Sequence, residues 1–187
     1  MAPVAAKDLE LPPSSALDEA LHLSKCSEHP ARLHHLTSTI LHNLRYQHDW
    51  TSLSIHAPSS PANSLLLRPI IAGLPPRRAY IHPDEQVEIL KAEHETGKSI
   101  EQTPEPEWVL PTHWEEKWSL AQFAAVFDAL DTAPIINATS SEGAEETVGY
   151  KWRGKNRQKR LLLATLHDDS TVVYYIVHDG IVKPRQN

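Results

Sequence analysis

The residues of this chain best suited to chemistry are its histidines, of which there are twelve among 187 residues. His178 lies near Tyr174, Tyr175 and Lys183 close to the C-terminus, with Lys159 upstream. A metal-free ribonuclease needs such groups: a base for a ribose 2′-hydroxyl, an acid for the leaving oxygen, and a cation for the phosphorane charge. The plainer reading of His178 is the residue that precedes a tight turn. His34, His35, His42 and His48 share one segment, but only His35 and His42 fall near one face of a helix. No carboxylate or cysteine completes a four-ligand set there, so no metal is expected. There is no phosphate-binding glycine loop, nucleophile elbow, HExxH or CxxC, and only six glycines, so no nucleotide cofactor is expected either.

A second pattern is electrostatic. Lys151, Arg153, Lys155, Arg157, Lys159 and Arg160 are interleaved with Tyr150 and Trp152. Cations and aromatics in that mixture can hold a phosphate backbone and stack on an unpaired base. The alternative is a solvated loop neutralised by Glu142, Glu145 and Glu146 just before it. The chain as a whole carries a net charge of −6 and is no generic polyanion binder. The single cysteine, Cys26, excludes an internal disulfide framework and suits an intracellular setting. No apolar run reaches the length of a membrane span, and the opening residues lack the charged-then-apolar pattern of a secretory signal, so none is expected.

The elements that must position these residues centre on Arg160–Pro184, read as a three-stranded meander. Leu161–His167 and Thr171–Val177 are aliphatic, β-branched and aromatic runs without proline, separated by the polar break His167–Ser170. Asp179-Gly180 has the grammar of a two-residue type I′ turn, which would set His178 opposite Ile181, Val177 opposite Val182 and Ile176 opposite Lys183. Leu161–Leu166 is apolar on both faces and belongs inside a covered sheet. Ile181–Lys183, ended by Pro184, is expected at an edge, where an uncovered strand is a pairing site.

Upstream, residues 1–28 read as a disordered tail rich in Ala, Pro and Ser. Within it, Leu17-Asp18-Glu19-Ala20-Leu21-His22-Leu23 has the spacing for a helical turn or two on a partner. Pro30–His48 is a helix with Leu33, Leu36, Ile40 and Leu44 on one face. Thr51–His56 and Ser64–Ala72 are strands joined by a Pro/Ser loop at 57–63, and Arg77–His82 is a further extended piece. Pro83, Asp84 and Glu85 open a surface helix that Gly97 closes. Glu107–Leu110 is a short strand between prolines. Ser119 and Gln122 have capping-box spacing and Trp118 and Phe123 staple spacing, starting a helix whose Leu120, Phe123, Phe127 and Leu130 should pack on the sheet. The fold class is therefore α/β of the α+β kind: helices on a mixed, mainly antiparallel sheet, in one domain over residues 29–187.

Leu163-Ala164, Asp168-Asp169-Ser170, Thr171 to Tyr175 and Asp179-Gly180 together resemble the C-terminal signature of the Sen15 family of eukaryotic tRNA-splicing endonuclease subunits. The likeness extends weakly upstream through His29-Pro30, the first helix, Trp50 and Val109–Thr112, with residues 83–97 and 131–160 standing as insertions. The resemblance implies a compact domain like the nuclease domain of archaeal tRNA-intron endonucleases. It also implies a place in a four-subunit enzyme in which two subunits cut and two do not. Sen15-like subunits are of the second kind. They pair with the Sen34-like catalytic subunit, and through the complex with the Sen2-like and Sen54-like subunits, so that introns are excised from pre-tRNA without metal or cofactor.

In cutting subunits a histidine lies shortly before the strand that precedes the sheet-packing helix. Here Gly97–Pro106 contains none, although Lys159 falls where the family's lysine does. The resemblance further implies that neighbouring subunits join C-terminal strands and that an acidic loop enters a partner's basic pocket. The expected partner-binding residues are then Asp168, Asp169, Thr171, Val173, Tyr175, Ile181, Val182 and Lys183. The expected RNA contacts are Lys151, Trp152, Arg153, Lys155, Arg157, Lys159 and Arg160. The isolated chain is expected to be able to form a homodimer through its free edge. Its location is expected to be the nucleus, the alternative being the cytosolic face of the mitochondrial outer membrane.

Overall fold

A computed structural model describes residues 30–57, 66, 68–136 and 148–182. The tail at 1–28, the acidic stretch around Glu142–Glu146, most of the 57–63 loop and Lys183 lie outside the described residues. Among the described residues, three α-helices, α1 (Pro30–Tyr46), α2 (Pro83–Thr96) and α3 (Leu120–Ala129), accompany five strands. The strands are β1 (Thr51–His56), β2 (Ile70–Leu74), β3 (Glu107–His113), β4 (Arg160–Leu166) and β5 (Val172–His178). They form one sheet in sequence order, antiparallel throughout except where β3 pairs with β4. The expected α+β class and mixed, mainly antiparallel sheet are what the chain adopts.

Period-two alternation gives the sheet two apolar faces. Val109, Leu162 and Ala164 face α1 and pack with its Leu36, Ile40 and Leu44. Leu110, Leu161 and Trp108 face the other way and pack with Val126 and Phe127 of α3 and with Leu130 at its C-cap. β4 is thus the doubly covered strand that its composition implied. Gly73 admits the close approach of Trp50 and Leu53, since a Cβ there would lie 2.6 Å from Leu53 Cδ2.

The cap of α3 forms as its spacing predicts: Ser119 Oγ accepts from Gln122 N, and Gln122 Oε1 accepts from Ser119 N. The rings of Trp118 and Phe123 sit 5.1 Å apart. Leu120 departs from expectation and is 89% exposed. It is the first residue of the helix and points outward, so the buried stripe is Val126, Phe127 and Leu130.

β3 runs through Pro111 instead of stopping before it. Trp114 N donates to Leu166 O, so by alternation the even-numbered amides face β4 and position 111 faces the β2 side. The β2 ladder reaches only Val109, so the donor that proline lacks would have had no partner. Arg77–His82 joins no strand; it crosses the end of the sheet and is held by side chains described below.

Among the described residues the expected third strand of the meander is not seen: Ile181 and Val182 carry no strand pairing. The chain leaving β5 is instead fastened to the start of β4. Asp179 N donates to Lys159 O, and Gln158 Nε2 donates to the carbonyls of Asp179 and Ile181. These bonds carry the backbone across the strand end and do not return it along β5. The edge of the sheet is therefore β5 itself.

Candidate partner-binding edge

β5 follows β4 through a tight polar turn. His167 N donates to Thr171 O, Ser170 N donates to His167 O, and Ser170 takes the left-handed φ of 67° that closes the turn. Asp169 Oδ1 accepts from Thr171 N at 3.0 Å, and this bond holds the carboxyl below the usual carboxylate range. Asp168, Asp169 and Ser170 are exposed. His113 Nε2 lies 3.5 Å from Asp168 Oδ1, and Trp114 stacks on His167 with 5° between the ring planes. The expected acidic loop is thus a built hairpin tip that presents two carboxylates.

From the tip onward the pairing of β5 with β4 is unbroken, from Val172 against Leu166 to His178 against Arg160. The bonds at the two ends, His167 N to Thr171 O and Asp179 N to Lys159 O, fix which residues exchange hydrogen bonds. In an antiparallel ladder these pairs alternate, so Val173, Tyr175 and Val177 bond to β4. The N–H and C=O groups of Val172, Tyr174, Ile176 and His178 point away from the sheet. No strand among the described residues meets them.

Of the expected partner residues, Thr171, Val173 and Tyr175 direct their backbone inward, and only their side chains remain for a partner. Tyr175 is 53% exposed and Ile176 38%. Ile181 is exposed and Val182 half-buried, both beyond the ladder. Sequence reasoning missed Tyr174 and Ile176, because the phase of the ladder depends on the turn bonds at 167–171, which periodicity does not reveal.

The sheet's two edges differ. β1, on the opposite side, has an irregular register between Thr51 and Ser54. Asp49 and Ser52 there have φ of 54° and 49°. A bulge of this kind twists an edge away from foreign strands. β5 has no such device.

The basic run is largely internal. Arg157 and Arg160 are buried and share the carboxylates of Glu105 and Glu107. Arg153 Nε donates to the fully buried Glu85, which also takes both terminal nitrogens of Arg78. Burial alone would raise the Glu105 carboxyl, but Gly154 N–H and the guanidiniums of Arg78, Arg157 and Arg160 outweigh it and hold it below its ordinary value. Lys159 Nζ donates to Phe127 O at 2.8 Å. Trp152 stacks on His82 with ring centres 5.7 Å apart. Lys151 and Lys155 stay exposed. The neutralising acids are therefore Glu85, Glu105 and Glu107 from other elements. The spacing of the run gave no sign of this, because the partners are some 50 residues or more away in sequence.

His178 and Lys159 do not meet. Lys159 reaches α3 on one face of the sheet. The ring of His178 packs edge-on against Tyr80, 4.7 Å away, on the other face with Arg160, whose guanidinium lies over Tyr80. His178 Nδ1 is buried without a hydrogen-bond partner.

These features define an α+β domain whose sheet ends on a regular, open strand with an acidic tip at one end. Comparison with known proteins gives that class a family: the Sen15 protein family profile matches residues 39–187. The chain belongs to the Sen15 family. It is 51% identical over 152 residues to a Neurospora crassa protein named as a probable tRNA-splicing endonuclease subunit, tsp-1, covering 81% of this chain and 66% of that protein. It is 30% identical over 83 residues to a Schizosaccharomyces pombe protein named as a probable tRNA-splicing endonuclease subunit, sen15, covering 43% of this chain and 50% of the relative. The aligned regions thus span about two thirds and half of those two proteins.

Proposed function

We propose that this protein is a non-catalytic, structural subunit of the tRNA-splicing endonuclease. It holds a Sen34-like cutting subunit by strand addition along β5 and presents Asp168 and Asp169 to a basic surface of the complex, which also contains Sen2-like and Sen54-like subunits. The observation that carries this reading is the outward set of backbone groups at Val172, Tyr174, Ile176 and His178, on an edge with no bulge. A foreign strand would satisfy them in one continuous sheet. The acidic tip would set register and partner choice more than affinity. Family membership and the names of the two relatives support the assignment to this complex.

Two observations support a role without chemistry. His178 and Lys159 are on opposite faces of the sheet, and the Lys159 ammonium is already bonded to Phe127 O. For pre-tRNA, the run at 151–160 leaves Lys151 and Lys155 as exposed cations, enough for an auxiliary contact. Without its partner, the same margin would pair with a second copy of the chain.

Proline at Ile176 removes an outward donor and leaves the β4 ladder whole, because edge strands tolerate proline on the solvent side. Ile176→Pro should abolish capture of the Sen34-like subunit while the far-ultraviolet spectrum stays unchanged. Capture at wild-type strength would refute strand addition. Incubation of the purified chain alone with an intron-containing pre-tRNA should give no cleavage. Specific cutting that disappears in His178→Ala would favour a self-sufficient ribonuclease instead.

A further inference from the structure

Where Arg77–His82 crosses the end of the sheet, it lays two rings beside two others. His82 stacks on Trp152, with ring centres 5.7 Å apart and 12° between the planes. Tyr80 meets His178 edge-on at 4.7 Å. The two pairs adjoin: burial, then the charges of Arg160 and His82, hold His178 below its ordinary value. All four residues are half-buried, so each keeps part of its surface in water.

Polar groups in this cluster are left over. His82 Nδ1 accepts from Asp84 N, so the neutral ring carries its proton on Nε2. Neither that nitrogen nor Tyr80 Oη has a hydrogen-bond partner among the described residues. His178 Nδ1 is buried without one.

The charge beneath the rings favours an anion. The guanidiniums of Arg78, Arg153, Arg157 and Arg160 outnumber the carboxylates of Glu85, Glu105 and Glu107 that pair with them. Lys151, next to Trp152, adds an exposed cation, while Asp84 beside His82 and Asp179 beside His178 add nearby carboxylates. With those two acids present charge alone would bind weakly, and the rings must supply the rest. Flat aromatic surface, unused donors and a modest positive field fit an unpaired nucleotide.

We propose that Trp152, backed by His82, stacks an unpaired RNA base, that Tyr80 Oη and His82 Nε2 donate hydrogen bonds to the same nucleotide, and that Lys151 holds a neighbouring phosphate. The proposal rests on the auxiliary pre-tRNA contact above and narrows it to single-stranded RNA, because the bases of a duplex are already stacked on one another.

The test titrates fluorescein-labelled hexa-adenylate RNA into the full chain and follows anisotropy and 15N spectra. The Trp152 indole N–H signal should shift while those of Trp114 and Trp118 stay. Trp152→Leu should weaken binding about tenfold and Trp152→Phe should keep most of it, with unchanged β5 amide positions reporting an intact fold. A blunt RNA duplex should bind about tenfold more weakly than the single strand. Lys151→Ala should reduce the salt dependence of binding and leave the indole shift at saturation. Hexa-adenylate that binds without moving the Trp152 indole, or binds Trp152→Leu at wild-type strength, overturns the stacking site and leaves the auxiliary contact standing. Duplex bound as tightly as single strand overturns it in the same way. No binding to the wild-type chain at low salt overturns the site and the auxiliary contact together, whereas strand addition to the Sen34-like subunit is read separately by capture.

Discussion

Tyr174 Oη donates to Asn43 Oδ1 at 2.5 Å, tying the edge strand to α1 across 131 residues of sequence. Burial pushes the Tyr174 phenol well above its ordinary value, so it remains a donor at any working pH. Asn43 Nδ2 in turn donates to Gln47, and the His48 ring packs edge-on to Tyr174. An edge strand lacks the second ladder that holds an inner strand in place. This bond supplies part of that restraint on the α1 side. Tyr174→Phe should destabilise the fold by about 1–2 kcal/mol, measured by urea unfolding. It should also speed hydrogen exchange along β5 more than along β3.

The buried ion cluster predicts a sharp contrast within the basic run. Glu107→Ala leaves Arg157 and Arg160 buried with half their partners and should cost about 3–5 kcal/mol. Lys151→Ala and Lys155→Ala, on exposed side chains, should each change stability by less than about 0.5 kcal/mol. Thermal unfolding of the three variants checks this. Equal losses would mean that the cluster does not hold the 149–160 segment to the sheet.

Two glycines in the same segment separate strain from collision. Gly154 has φ of 57° with open space around it, whereas Gly149 has φ of 82° and a Cβ would fall 2.7 Å from the Glu85 side chain. Gly154→Ala should cost only the left-handed strain, about 1–2 kcal/mol. Gly149→Ala should cost clearly more, because it also displaces the carboxylate that binds Arg78 and Arg153. Denaturant midpoints of the pair give the comparison.

Acid should weaken the fold in two stages. Burial, then the charges of Arg160 and His82, hold His178 below its ordinary value of 6.5, and burial does the same to His56. The unfolded chain therefore takes up these protons first. Their effect is absent above about pH 6.5, and stability falls as pH drops from there toward the folded values. Glu105 is held below its ordinary 4.5, so its contribution is complete above that pH and is lost as pH falls through its lower folded value. Unfolding measured against pH should show both limbs. His56→Phe/His178→Phe should flatten the upper one only; an unchanged upper limb would contradict the assignment.

Much of this fold is legible in the chain because local rules and tertiary packing agree. Ser119 and Gln122 cap α3, Pro83 and Gly97 bound α2, and the doubly apolar Leu161–Leu166 run lies in the covered β4. What was not legible depends on partners distant in sequence. Asp179-Gly180 reads as a hairpin turn until Gln158 and Lys159 capture the backbone on either side of it. Lys151–Arg160 reads as a solvated cationic face until Glu85, Glu105 and Glu107 arrive from other elements. The outward residues of β5 follow from turn bonds at the strand ends, which carry no compositional signal.

Hydrogen exchange of the β5 amides with and without the Sen34-like subunit tests strand addition most directly. In the free chain, Val173, Tyr175 and Val177 should exchange slowly and Val172, Tyr174, Ile176 and His178 fast. In the complex the second set should become as protected as the first. Partner binding that leaves those four amides exchanging as fast as in the free chain would contradict the account.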